Sequence, residues 1–304
     1  MDNIKQKWQL DFLRFHQLDE SYLQFAEGWI DNIIPQLLES RDELSRPLLV
    51  AVNGCQGSGK STLCEYLVSA LAFKYQRKAL SLSLDDFYLT HEERVQLSEN
   101  VHPLLAVRGV PGTHDIDLLE LTLDNLFTAK PASVSSIPRF DKSTDDRKPK
   151  SEWDEVTGIF DVVFLEGWCL GAVPETIEIL NKPINALEEH EDPDGVWRSF
   201  ANRALRNDFL RLYDRIDLWL MLKAPSFDYV YQWRLEQEQK LADTQHSNPG
   251  RGVMAPKEVA RFIQFYERLT ENCLRQLPDR VHYLYQLGEN REVLNFRQRS
   301  VVNE

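Results

Sequence analysis

The stretch LLVAVNGCQGSGKST, residues 48–62, decides the fold. It opens with a short apolar run of the kind a strand buried on both faces requires. Gly54, Gly57 and Gly59 then fall within six residues, with Lys60, Ser61 and Thr62 directly behind them. Gly54, Gly59, Lys60 and Ser61 satisfy the spacing G-x-x-x-x-G-K-[ST]. Glycines let the backbone turn so tightly that successive N–H groups converge on phosphate oxygens. Leu63, Leu67, Ala70 and Leu71 follow at helical spacing, and the N-terminus of that helix adds partial positive charge at the same point. A plain surface turn would need neither the strand before it nor the helix after it. The stretch therefore reads as a nucleotide cradle formed by Gly54, Cys55, Gln56, Gly57, Ser58, Gly59, Lys60, Ser61 and Thr62. Lys60 is expected to bridge the β- and γ-phosphates and Ser61 to coordinate Mg2+, with Thr62 at the α-phosphate or the helix start.

Working outward, KALSLSLDDF (78–87), IFDVVFLEG (159–167), DLWLMLKA (217–224) and HYLYQL (282–287) read as four further strands. Helical patterns over 116–127, 197–213 and 227–240 separate them. This alternation predicts an α/β fold of the P-loop NTPase type, a doubly wound and mainly parallel sheet covered on both faces. Leu18, Tyr22, Phe25, Trp29, Ile33 and Leu37 step at helical spacing through an N-terminal segment, with Asp19 as N-cap and Pro35 expected to kink or end the helix. The division expected is a helical extension over 1–46 and a nucleotide-binding domain over 47–304. TDDRKPKSEWDE (144–155) and ADTQHSNPGRG (242–252) read as long polar loops, the second within a lid over about 233–255.

Composition bounds the function. No apolar run in the 304 residues approaches the roughly 20 needed to span a bilayer, so no membrane partner is expected. The opening residues lack a secretory pattern, and four cysteines without a C-x-x-C pair suit a reducing compartment, so a cytoplasmic location is expected. A net charge of −13 repels nucleic-acid backbone over most of the surface, which argues against a nucleic-acid partner. An anionic ligand must instead be held locally, by a few cations and backbone amides. No feature of the sequence specifies an oligomeric state.

Phosphoryl transfer to an alcohol needs a carboxylate beside the acceptor hydroxyl and cations over the moving group. Parallel strands deliver side chains to the sheet edge where the glycine loop lies. Asp85 and Asp86 end one strand, where a carboxylate takes the hydroxyl proton or fixes its orientation. Glu166 ends another and suits Mg2+ or its bound water. RGVPGTHDID (108–117) gathers Arg108, Thr113 and His114 before a helix that Asp115 can cap. IPRFDKSTDDR (137–147) gathers Arg139, Asp141, Lys142 and Arg147. In so acidic a chain both segments are candidates for holding an anionic acceptor. Phe87 and Tyr88 would suit a stacked base. Arg234 and Arg251 flank the second polar loop, where a closing lid would bring an arginine to the transferring phosphoryl.

Taken together, NGCQGSGKST, SLDDFYLT, RGVPGTHDI, IPRFDKS and VVFLEGW resemble the P-loop kinases related to uridine kinase, phosphoribulokinase and pantothenate kinase. The order RGVPGTHD, PRFDKS, FLEGWCLG, WRLEQE and GVMAPKEVARFIQFYERL is similar to the plant-type D-glycerate 3-kinase family, from about Leu48 to the C-terminal region. That resemblance implies ATP- and Mg2+-dependent phosphorylation of D-glycerate to 3-phosphoglycerate, with Asp85 as general base. It also implies an acceptor side formed by Thr113, His114, Asp115, Arg139, Asp141 and Lys142. In one place the chain departs from the pattern: a glycine-rich G-x-G-D-R stretch after D-K-S is shortened to TDDR, leaving Arg147 but no glycine. A nucleoside, pantothenate or sugar acceptor, or an ATP-binding regulatory protein without transfer activity, are the alternatives. The family likeness points to ATP, and no guanine-reading N-K-x-D stretch occurs.

Overall fold

A computed structural model describes residues 6–245 and 254–299. In chain order the strands are β1 (Leu48–Gly54), β2 (Ala79–Ser83), β3 (Val134–Ile137), β4 (Phe140–Asp141), β5 (Asp146–Arg147), β6 (Asp154–Thr157), β7 (Val162–Gly167), β8 (Leu218–Lys223), β9 (Tyr283–Leu287) and β10 (Val293–Gln298). Six of them build the main sheet in the order β10-β9-β8-β1-β7-β2. β1 pairs in parallel with β7 and β8, β2 with β7, and β8 with β9, while β10 closes one edge antiparallel to β9. The chain leaves β1 towards one edge and β8 towards the other. The strand order thus reverses beside β1, and a crevice opens there at the carboxyl ends of the strands.

Alternate side chains of each strand serve opposite faces. Val50, Val52, Phe164, Leu220 and Tyr285 pack with the Lys60–Tyr75 helix on one face. Leu49, Ala51, Val163, Leu165 and Leu284 pack on the other, with the Ile116–Phe127 and Pro256–Gln276 helices. Every residue of β1 is buried, as its unbroken apolar run requires.

The N-terminal segment forms the helices Lys7–His16, Ser21–Phe25 and Ile34–Asp42, the last two joined through a wider and then a tighter helical turn. Asp19 accepts from the Ser21 N–H at 2.9 Å at the second start. Pro35 lies in the first turn of the third helix, where its missing N–H leaves no bond unmade, so it opens that helix rather than ending one. Trp8, Phe12, Ile30, Ile33 and Leu37 share one buried cluster with Val50 and the Lys60–Tyr75 helix.

The polar 144–155 segment is not one loop. It supplies β5 and the start of β6, which pair antiparallel with β4 and β3. The Asp228–Gln245 helix carries the first part of the expected lid. Residues 246–253, with Arg251, lie outside the described residues. Among the described residues, no helix is long and apolar enough to cross a membrane.

Candidate active site

The glycine loop joins the end of β1 to the Lys60–Tyr75 helix. Gly57 and Gly59 take φ of 77° and 88°, a region that favours glycine. A Cβ on Gly57 would lie 2.8 Å from the Trp233 Cβ, so the loop passes directly over the Asp228–Gln245 helix. The Ser58 N–H donates to the Cys55 carbonyl at 3.2 Å and closes the turn. The Ser61 hydroxyl donates to Glu166 Oε1 at 2.8 Å, and Lys60 Nζ lies 3.5 Å from Glu166 Oε2. Burial works against the Lys60 ammonium, but the charges of Glu166 and Asp85 outweigh it and raise its pKa. Lys60 is a permanent cation. Burial pushes the Cys55 thiol up to about 12, so this residue packs the loop and is no nucleophile. Thr62 is half-buried in the first helical turn.

Gln56 Oε1, Ser58 Oγ and Glu166 Oε2 are buried without a hydrogen-bond partner. Buried polar atoms rarely stay single, and all three belong to the glycine loop or to the end of β7, whose Glu166 meets Ser61 and Lys60. Ser61 and Glu166 present hard oxygen donors side by side, which fits Mg2+, an ion held by one or two protein groups together with substrate phosphates. Among the described residues, no group of three His, Cys, Asp or Glu could cage a metal alone.

Beyond β2 the turn Leu84–Phe87 carries the two aspartates, and they differ. Asp85 Oδ1 accepts from the Tyr88 hydroxyl at 3.0 Å, and Oδ2 from the Lys142 ammonium at 2.6 Å. Burial would raise its pKa, but the Lys142 and Lys60 charges hold it far below the usual carboxylate range. Asp86 accepts from the Arg139 guanidinium at 2.6 Å and from the Phe140 N–H at 3.1 Å, and burial still raises its pKa. Arg139 also donates to Asp154 at 2.7 Å. It staples the turn to β4 and β6, and its charge is matched by two carboxylates.

The 108–115 loop is stitched beside this turn. Thr113 Oγ1 donates to the Val110 carbonyl at 2.7 Å and accepts from the Gly109 N–H at 3.1 Å. The Asp115 N–H donates to the Phe87 carbonyl at 2.7 Å. His114 stacks on Tyr88 with ring centroids 4.4 Å apart. Its burial lowers its pKa to about 4, so the ring is neutral at physiological pH and offers no cation to a carboxylate. Phe87 is fully buried and Tyr88 nearly so, which leaves no open aromatic face for a stacked base.

Other expected acceptor residues are occupied in the scaffold. Asp115 caps the Ile116–Phe127 helix and accepts from Arg147 at 2.8 Å, while Arg147 also reaches Glu93 at 3.3 Å. Asp141 accepts from the Ser143 N–H at 2.8 Å within the β4–β5 turn. Arg108 pairs with Asp145, which also holds the fully buried Arg94 at 3.0 Å. Arg234 pairs with Glu238 on its own helix and lies 5.2 Å over the Phe262 ring. The cleft thus gathers Lys60, Ser61, Asp85, Tyr88, Lys142 and Glu166.

Two residues without a signal in the sequence touch this region. Arg291, in the β9–β10 turn, donates Nε to the Gly57 carbonyl at 2.7 Å from 234 positions away. Tyr266 fits against Gly109, where a Cβ would come within 3.0 Å of its ring, and its hydroxyl reaches the Arg108 carbonyl at 3.4 Å.

Known proteins resemble this chain in sequence and fold. The chain is 33% identical over 261 residues to the uncharacterized kinase mug58 of Schizosaccharomyces pombe, covering 83% of this chain and 90% of that protein. It is 31% identical over 237 residues to the chloroplastic D-glycerate 3-kinase of Arabidopsis thaliana, covering 72% of this chain and 46% of the plant protein. The chain belongs to the P-loop kinase family that includes D-glycerate 3-kinase. Its fold matches the solved D-glycerate 3-kinase of Cryptococcus neoformans var. grubii with a TM-score of 0.71 at 29% identity, over 88% of this kinase and 96% of that one. No protein-family model matches the chain.

Proposed function

We propose that this kinase transfers the γ-phosphoryl group of ATP to D-glycerate and forms 3-phosphoglycerate. The observation that carries the reading is the ionised Asp85 facing the loop cation Lys60 across one cleft, since each feels the other's charge. The amides of 54–62 and Lys60 would grip the triphosphate, and Ser61 and Glu166 would hold Mg2+. When bound, the ion neutralises phosphate charge. Asp85 orients the acceptor hydroxyl and takes its proton as the new O–P bond forms. The proton moves late, because in a loose transition state the attacking oxygen bonds only slightly.

Three features support glycerate in particular. Phe87 and Tyr88 are too buried to stack a base, the exposed Lys142 ammonium beside Asp85 suits an anionic acceptor, and D-glycerate 3-kinase names two of the related proteins. The decisive measurement is ADP release coupled to NADH oxidation, with D-glycerate, uridine, pantothenate and glycerol as acceptors. Glycerate-dependent turnover is expected, and Asp85→Asn should lower kcat by roughly 10²–10⁴-fold, the range for a positioned general base. Turnover with uridine alone would refute the acceptor, and an Asp85→Asn enzyme at full speed would refute the base.

A further inference from the structure

We propose that Lys142 is an anion-triggered latch: it holds Asp85 in the empty site and leaves it only for the negatively charged group of the arriving acceptor. The inference deepens the reading of this cleft as a kinase site for an anionic alcohol, and rests on it. It begins with occupancy. Lys142 engages Asp85 Oδ2 at 2.6 Å and Tyr88 engages Oδ1 at 3.0 Å, so both oxygens that would receive a hydroxyl already have donors. Each oxygen keeps a second lone pair, so a hydroxyl can dock, but the carboxylate gains basicity only if one of the two donors leaves.

The surroundings decide which. The Tyr88 ring is buried between His114 and Phe140, with centroids 4.4 Å and 5.4 Å away, and cannot swing. The Lys142 side chain is 57% exposed and bonds to Asp85 alone among the described residues. Its backbone is fixed, because Asp141 pins the β4–β5 turn through the Ser143 N–H at 2.8 Å, so only the flexible stem needs to move. The neighbouring guanidinium groups already face protein carboxylates: Arg139 those of Asp86 and Asp154, Arg147 those of Asp115 and Glu93, and Arg94 and Arg108 that of Asp145. An acceptor carboxylate entering here therefore meets Lys142 as the cation that can turn to it.

Release would also change the carboxylate. Asp85 faces Lys142, Lys60, Asp86, Tyr88, His114, Tyr266 and Cys169, and of these only the two lysines are cations at neutral pH. Lys60 stays with the phosphates. When Lys142 departs, partial burial acts on Asp85 with less charge against it, and its affinity for a proton rises. The acceptor hydroxyl then donates to Asp85, its oxygen bonds to the γ-phosphorus, the bond from phosphorus to the bridging oxygen of ADP breaks, and the proton passes to Asp85. With the latch shut, water in the same place meets a poor base. ATP is spared hydrolysis to ADP and phosphate until an anion arrives.

The test uses the full chain with Lys142→Gln and Lys142→Arg, checked first by thermal melting. Lys142→Gln should raise acceptor-free ADP release by about tenfold, lower kcat/KM for D-glycerate by about 100-fold, and erase the preference for glycerate over glycerol. Lys142→Arg, which keeps the cation, should restrain hydrolysis as the wild type does. A structural role for Lys142 would not speed hydrolysis. The latch is refuted if Lys142→Gln hydrolyses ATP no faster than the wild type, whatever happens to glycerate turnover. A wild type that ignores glycerate while Lys142→Gln hydrolyses ATP faster would sink the acceptor assignment and leave the latch standing.

Discussion

Asp85 and His114 both titrate below their ordinary ranges, for opposite reasons. Asp85 falls because ammonium charges outweigh burial, and His114 falls because burial disfavours its cation in spite of Asp85. The consequence for stability separates by pH. In the unfolded chain His114 titrates near 6.5, in the folded protein at about 4. The unfolded state therefore binds the proton first, and stability present above pH 6.5 is lost as pH falls towards 4, by up to about 3 kcal/mol. Asp85 loses its contribution only below the ordinary carboxylate range, so within this window His114 governs the pair. His114→Phe keeps a ring against Tyr88 and removes the titration. Urea midpoints at pH 7 and pH 4.5 should differ clearly less in that variant than in the wild type, and equal differences would contradict the buried neutral imidazole.

At the scale of elements, the β9–β10 turn matters more than its exposed sequence suggests. Arg291 adopts φ of 67°, a conformation that costs a residue with a Cβ about 1 kcal/mol. Its guanidinium reaches the Gly57 carbonyl and Glu236, each at 2.7 Å, and lies 5.0 Å from the Trp233 ring centre. Because the peptide unit is planar and its Ser58 N–H donates to the Cys55 carbonyl, holding the Gly57 carbonyl from outside fixes the turn of the loop. Losing this anchor removes one charge-assisted bond, so Arg291→Gln should weaken MgATP binding by about tenfold in calorimetry. An unchanged Kd would show that the loop holds its shape alone. The legibility of the chain divides along the same line. β1, β7 and β8 are near-continuous apolar runs, β2 alternates leucine with serine, and the glycine loop is contiguous, so these stand out in the sequence. β6 reads Asp-Glu-Val-Thr with little burial, and β10 is largely exposed, so neither carries a periodic apolar signal. Arg139 and Arg147 are visible as cations, but a sequence does not state which carboxylate each one faces. Arg291 meets its loop across most of the chain length, where no local pattern reaches.

Seen whole, the molecule does not separate its N-terminal helices from the sheet. Trp8, Phe12, Leu13, Ile30, Ile33 and Leu37 are buried in one cluster with Tyr66, Leu67 and Val50. At about 1.5–3 kcal/mol each, these six side chains contribute at least about 9 kcal/mol, comparable to the entire stability of an ordinary domain. Deleting residues 1–42 should therefore abolish cooperative unfolding in circular dichroism melts, and a truncated protein melting as the full chain does would overturn this.

The interposition of β7 between β1 and β2 reaches beyond this one enzyme. Lys60 follows the first of these strands, Glu166 ends the second and Asp85 follows the third, so the groups proposed to hold nucleotide and acceptor are set apart by hydrogen-bonded backbone at about 4.8 Å per step. Such a ruler cannot be stretched by exchanging side chains. Evolution can redraw the far wall for a new alcohol while the near wall goes on holding its nucleotide unaltered.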